Sequence, residues 1–171
     1  MILITFIIGG IRSGKSRFAC QMAMEKNKGV VYIATCVPLD DETMERVEKH
    51  KASRPRDWLV IEEPRDVAKV LPTIRNNSVI LIECLTFWVS NLLLDGKGYE
   101  DICQRVGELV DVLRGINNDV IVVSNEVGLS GISPNKLARM FTDILGETNQ
   151  LICSAAEEVY TVIAGIPVRI K

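Results

Sequence analysis

Gly9-Gly10-Ile11-Arg12-Ser13-Gly14-Lys15-Ser16 follows directly on the apolar run Ile2 to Ile8 and completes the G-x-x-x-x-G-K-[ST] pattern of a phosphate-binding loop. Such a loop works only as the hinge from a buried strand into a helix, with its backbone N–H groups turned inward on phosphate oxygens. Gly9 and Gly14 admit backbone angles that a Cβ forbids, so the chain can wrap a polyphosphate closely. Lys15 is placed to reach the β- and γ-phosphates, and the Ser16 hydroxyl is of the type that ligates Mg²⁺. The helix-forming stretch Ser16 to Met24 completes the strand, loop and helix, which a chance glycine-rich turn lacks.

Around this loop, short β-rich apolar runs alternate with amphipathic or charged stretches, the pattern of a mainly parallel sheet covered by helices on both faces. The spacing predicts strands over Ile2 to Ile8, Val30 to Ala34, Trp58 to Glu62, Val79 to Glu83, Val120 to Ser124 and Glu158 to Ile163. Val168 to Ile170 is expected to return antiparallel as a hairpin after Gly165-Ile166-Pro167. Helices are expected over Gly14 to Lys26, Asp41 to Ala52, Asp66 to Ile74, Phe87 to Leu94, Glu100 to Ile116 and Asn135 to Ala156, with Gly146 as a point of interruption in the last. The expected fold class is α/β: a P-loop NTPase domain with a mainly parallel RecA-like sheet flanked by helices and a short C-terminal antiparallel hairpin. Asp95 to Tyr99, which holds Gly96 and Gly98, is the candidate mobile loop.

At 171 residues the chain is expected to form a single domain, residues 1–171, around one core. Its 47% hydrophobic and 25% charged residues are those of a soluble globular protein, and a net charge of -2 gives no electrostatic case for nucleic acid or an anionic membrane. The longest apolar runs are strand-sized and the first lacks a basic flank and cleavage site, so neither a membrane span nor a secretory signal is expected. The expected compartment is the cytoplasm. Cys20, Cys36, Cys84, Cys103 and Cys153 are odd in number, widely spaced and without a C-x-x-C pair, which argues against a disulfide framework or zinc site. Most read as small buried residues of a reduced protein.

Ligands of an open α/β sheet bind beyond the carboxyl ends of its strands. Those ends carry Gly9 to Ser16, Ala34-Thr35-Cys36, Glu62-Glu63, Glu83 and Asn125-Glu126. Glu83 closes Val79-Ile80-Leu81-Ile82, the setting in which phosphate-loop enzymes place an acid that holds Mg²⁺. Glu62 and Glu63 suit either ribose hydroxyls or solvent. Glu126 suits a contact to a second substrate, a general base or a structural role.

His50 is the sole histidine, and it lies in Arg46-Val47-Glu48-Lys49-His50-Lys51-Ala52-Ser53-Arg54-Pro55. Arg46 stands one helical turn before it, while Pro55 disfavours helical geometry at Arg54 and ends the helix earlier. Basic neighbours disfavour the imidazolium, favour a neutral nucleophilic nitrogen and can neutralise a phosphate under attack. The same composition also describes a surface histidine on a solvated basic helix.

Several motifs then occur in a fixed order: Gly9 to Ser16, Tyr32-Ile33-Ala34-Thr35, Asp40-Asp41-Glu42, His50-Lys51-Ala52-Ser53-Arg54-Pro55, Glu83-Cys84-Leu85-Thr86 with Ser90-Asn91-Leu92-Leu93, Asn125-Glu126-Val127-Gly128, Leu137-Ala138-Arg139 and Asn149-Gln150. Together they resemble the bifunctional adenosylcobinamide kinase and adenosylcobinamide-phosphate guanylyltransferase family of cobalamin biosynthesis, from Ile2 to Lys171. The resemblance implies two reactions: phosphorylation of adenosylcobinamide with ATP or GTP, then transfer of GMP from GTP to the phosphate, yielding adenosylcobinamide-GDP and pyrophosphate. It implies a guanylylated histidine at His50. It also implies nucleotide contacts at Gly9, Gly10, Ile11, Arg12, Ser13, Gly14, Lys15, Ser16, Ala34, Thr35, Cys36, Lys51, Ala52, Ser53, Arg54, Glu62 and Glu83, Mg²⁺ at Ser16 and Glu83, and a homotrimer. The sequence departs from the family at Ile11 and in Gly128-Leu129-Ser130-Gly131-Ile132-Ser133-Pro134, where the second glycine is displaced. Two alternatives predict no covalent nucleotide: a P-loop kinase of another small molecule, and a nucleotide switch, against which stands the absence of an N-K-x-D motif.

Overall fold

The chain is described by a computed structural model that covers residues 3–52 and 54–171, with the side chains of Arg46, Lys49, His50 and Ser130 outside the described set. Its strands are β1 (Ile4–Gly9), β2 (Val30–Ala34), β3 (Leu59–Glu62), β4 (Val79–Glu83), β5 (Asp119–Val123), β6 (Glu158–Ile163) and β7 (Ile166–Arg169). They form one sheet in the order β3-β2-β4-β5-β1-β6-β7, parallel throughout except for the antiparallel pair β6 and β7. The central runs Val79-Ile80-Leu81-Ile82 and Val120-Ile121-Val122-Val123 are buried on both faces, as unbroken apolar strands of a parallel sheet require.

The helices are α1 (Lys15–Glu25), α2 (Asp41–Ala52), α3 (Val67–Val70), α4 (Leu85–Leu94), α5 (Tyr99–Gly115) and α6 (Lys136–Ala155). Strand side chains alternate between two cores. Ile80, Ile82, Val120 and Val122 pack with Trp88, Leu109 and Ile152 of α4, α5 and α6. Leu81, Ile121 and Val123 pack on the opposite face with Ala19 and Ala23 of α1. Alanine at these two positions lets α1 lie close to the sheet, directly behind the loop it continues.

Several boundaries differ from the sequence expectation for identifiable reasons. The helix expected over Asp66 to Ile74 is the single turn α3 followed by a 3₁₀ turn, Leu71–Thr73. Pro72 supplies no backbone donor for the Ala68 carbonyl, so the α-helical ladder stops ahead of it while Leu71 keeps right-handed helical angles. Gly146 does not interrupt α6, because Ile144, Leu145, Thr148, Asn149 and Ile152 form one buried stripe across it. α4 begins at Leu85 rather than Phe87, since fully buried Leu85 anchors its first turn. β5 takes in Asp119, whose carboxylate is satisfied by the Leu3 N–H at 3.1 Å and Lys28 Nζ at 2.9 Å. β7 includes Pro167, which an edge strand tolerates because one side of it needs no donor. Among the cysteines only Cys84 is buried. The other four are partly exposed, contrary to the expectation that most would be core residues.

Candidate nucleotide site

β1 delivers the phosphate loop at its carboxyl end, and β4 delivers Glu83 at the same end, with β5 inserted between them. Gly9 and Gly14 adopt φ values of 156° and 102°, in the region that favours glycine. A Cβ at Gly9 would come 2.5 Å from the Val162 carbonyl oxygen, and one at Gly14 would come 3.1 Å from Gly165 Cα. The glycines therefore serve packing against the β6–β7 hairpin as well as the curvature of the loop.

Lys15 is buried, and its Nζ donates to the Gly10 carbonyl at 2.6 Å. Burial holds this ammonium below the ordinary lysine range, with the negative charge of Glu83 opposing the shift. Ser16 Oγ donates to Glu83 Oε1 at 2.5 Å, which joins the first turn of α1 to the end of β4. Hydroxyl and carboxylate together form the oxygen pair through which a phosphate-bound Mg²⁺ is held by a protein. No group of three or more histidine, cysteine or acidic side chains suited to a metal occurs among the described residues.

These groups open into a cavity of about 540 Å³, large enough for a nucleotide. Of the positions expected to contact nucleotide, Ile11 to Ser16, Ala34, Cys36, Lys51, Arg54, Glu62 and Glu83 line it. Gly9, Gly10, Thr35 and Ala52 do not. Thr35 is fully buried, and its Oγ1 both donates to the Cys84 carbonyl and accepts from the Cys84 N–H, each at 2.8 Å. That side chain fastens the ends of β2 and β4 together instead of facing the cavity. Ser53 and the side chain of His50 lie outside the described residues. The backbone of His50 is in α2, three residues after Val47 and one before Lys51, both of which line the cavity.

The other strand-end acids are placed differently. Glu63 Oε1 accepts the N–H groups of Arg65 and Asp66, both at 2.8 Å, and so shapes the turn into α3. Glu126 Oε1 accepts the Gly128 N–H at 2.7 Å in the turn that follows β5. Glu62 stays at the cavity, 3.7 Å from Lys51 Nζ. The Arg54 guanidinium lies 3.9 Å over the Tyr32 ring, a cation–π contact that docks the chain just beyond α2.

Sequence reasoning passed over Arg17, Tyr32, Thr43, Val47 and Phe87, which also line the cavity. The signal for two of them was present, because Thr43, Val47 and Lys51 recur every four residues on one face of α2. Neither thiol that lines the cavity is shifted toward the thiolate. Burial and the charge of Glu83 push Cys84 up to about 12, and burial with Asp40 raises Cys36.

A phosphate loop that runs from the first strand into α1, with its lysine at the start of that helix, and an acid two strands away across an inserted neighbour, define a P-loop nucleotide-binding protein of the RecA-like α/β class. Within that class, the chain belongs to the cobinamide kinase / cobinamide phosphate guanyltransferase family, whose model matches residues 5–170. The bifunctional adenosylcobalamin biosynthesis protein CobU of Escherichia coli K12 is 38% identical over 184 residues, covering 100% of this chain and 99% of the relative. CobP of Pseudomonas aeruginosa, of the same description, is 37% identical over 169 residues, covering 96% and 95%. Among solved structures, a RadB recombinase aligns with 93% of this chain and 73% of its own at 14% identity and a TM-score of 0.48.

Proposed function

We propose that residues 1–171 act as one enzyme unit that phosphorylates adenosylcobinamide with ATP or GTP and then transfers GMP from GTP to the product through a guanylylated His50, releasing adenosylcobinamide-GDP and pyrophosphate. The observation that carries this reading is one cavity with two unlike walls. Lys15, Ser16 and Glu83 form a triphosphate cradle on one side, and the other side is the helix on which His50 stands.

In the kinase step, the alcohol oxygen bonds to the γ-phosphorus and the nucleoside diphosphate leaves, with Lys15 stabilising the charge on the transferring group. In the second reaction a neutral His50 nitrogen bonds to the α-phosphorus of GTP, and the bond to the β-phosphate breaks as pyrophosphate departs. A phosphate oxygen of adenosylcobinamide phosphate then attacks the same phosphorus and the N–P bond breaks. Ser16 and Glu83 would hold Mg²⁺, which supplies charge neutralisation on the triphosphate. The nucleotide contacts are assigned to the expected positions that line the cavity. The family resemblance supports a homotrimer, which sedimentation checks. No helix among the described residues is long and apolar enough to cross a membrane.

Incubation with GTP labelled at the α-phosphate tests the reading. Wild type is expected to form an acid-labile, base-stable adduct and His50→Ala none, while kinase activity persists in the variant. Equal labelling of both proteins would overturn the histidine assignment.

A further inference from the structure

The phosphate loop is held from behind by a part of the chain that neither reaction uses directly. β6 and β7 are joined by the two-residue turn Ala164-Gly165, with φ of 50° and 83°, the conformation of a tight hairpin in which both central residues are left-handed. The Gly165 N–H donates to the Ser13 carbonyl at 2.8 Å. The Ser13–Gly14 peptide is trans and planar, so its C=O and N–H point in opposite directions. With the carbonyl of Ser13 drawn back onto the hairpin, the N–H of Gly14 is turned the other way, toward the cavity that Gly14 lines.

The turn is itself kept in place. The Phe18 ring of α1 meets Tyr160 of β6 edge-on, with centroids 5.3 Å apart. Arg17 approaches Gly165 so closely that a Cβ there would lie 3.0 Å from its guanidinium, and Gly14 packs against Gly165 Cα. On the other flank of the loop, the Glu126 N–H takes the Gly9 carbonyl at 3.0 Å in the same manner. Loop carbonyls are thus drawn outward at both ends.

We propose that Gly165 is a positioning residue for triphosphate binding: its N–H fixes the Ser13–Gly14 peptide and thereby aims the Gly14 N–H at a phosphate oxygen. The proposal rests on the phosphate loop being the triphosphate site. It predicts that the C-terminal hairpin sets nucleotide affinity without contacting nucleotide.

The test measures GTP affinity in the presence of Mg²⁺, KM and kcat of the kinase reaction, and thermal stability for two variants of the full chain. Gly165→Asn keeps the N–H and tolerates left-handed φ, so binding within about 3-fold of wild type is expected. Gly165→Val places a β-branched residue where φ is 83° and displaces the turn, so affinity is expected to fall by roughly ten-fold. KM should rise in step while kcat stays within about two-fold, because the lost contact serves ground and transition states alike. Ile166→Thr, on an exposed side chain of the same hairpin, is the structural control, expected to change stability alone. Wild-type affinity in folded Gly165→Val overturns the proposal. If that variant does not fold, an ester in place of the Ala164–Gly165 amide, introduced by ligation at Cys153, removes only the N–H and is judged by the same affinity. Failure of the wild type itself to bind GTP would overturn the functional reading on which the proposal rests.

Discussion

α1 and α2 face the same cavity and are held in opposite ways. α1 buries Lys15, Ala19 and Ala23, is tied to β4 through Ser16 and Glu83, and begins in a loop braced by the segment that follows β5 and by the C-terminal hairpin. α2 has no buried residue among its described positions. Among the described residues its ties include Asp40 Oδ1, which accepts the Thr43 N–H at 2.7 Å, Lys51 near Glu62, and beyond the helix Arg54 over the Tyr32 ring. Little apolar surface must be re-exposed to shift α2, whereas moving α1 disrupts a core. The difference teaches a division of labour. Charge stabilisation demands groups fixed before the reaction, so it sits on α1. A nucleophile that must meet the α-phosphorus and then release its adduct to a second substrate is suited to an element that moves at small cost.

The comparison is broken most directly at Lys15. Lys15→Ala is expected to lower both the kinase and the guanylyl-transfer kcat by about 10²–10³-fold, since both use the rigid wall. Steady-state assays of the two half-reactions check this. Guanylyl transfer at wild-type rate in that variant would place its triphosphate elsewhere and dissolve the shared cradle.

A smaller, asymmetric effect is expected at the docking point beyond α2. Arg54→Met keeps the aliphatic stem but loses the charge over the buried Tyr32 ring, a partly desolvated contact of about 1–2 kcal/mol. Adduct formation with α-labelled GTP should slow by about 2–5-fold, and the kinase reaction less. Equal slowing of both would mean that Arg54 acts through its nucleotide contact alone and not through the placement of α2. Smaller again is Glu62→Gln, which removes a 3.7 Å ion pair between exposed partners. A change of about two-fold or less is expected, vanishing as ionic strength rises. A large, salt-insensitive loss would mean that the Glu62 contact to nucleotide outweighs its ion pair with Lys51.

The rigid half was legible in the sequence and the loose half only in outline. The loop, the β4 acid and the parallel sheet announce themselves because each depends on local chemistry: glycine where φ is positive, unbroken apolar runs where both faces are buried. Thr35 was misplaced because strand-end position specifies where a residue lies, whereas its bonds to Cys84, 49 positions away, decide which way it faces. The brace from Gly165 to Ser13 has no local signature either, since it joins residues at opposite ends of the chain through main-chain atoms. The cavity face of α2 was readable from the four-residue recurrence of Thr43, Val47 and Lys51, but charged neighbours on both sides disguised it as a solvated helix.

Asp119 bears on the comparison from the far end of the sheet, where stability should separate from chemistry. Its carboxylate is 8% exposed and pairs with Lys28, which follows α1, while also accepting the N–H of Leu3 ahead of β1. Burial pushes this carboxyl up, but the Lys28 hydrogen bond, the charges of Lys26 and Lys28 and the Leu3 N–H outweigh it and hold the group below the ordinary range. A carboxyl depressed in the folded state releases its proton more readily there than in the unfolded chain. Its stabilisation is therefore fully present above the unfolded value near ~3.9 and is lost as pH falls through the folded value. Asp119→Asn should cost about 1 kcal/mol at neutral pH, a difference that shrinks toward zero in acid, and should leave both reactions unchanged at temperatures where the fold holds. Denaturant titrations at pH 7 and at pH 3 or below read the first expectation and the kinase and labelling assays the second. A stability loss independent of pH would trace the effect to packing around the introduced amide, and a loss of activity would mean that the sheet's amino end governs the placement of the phosphate loop.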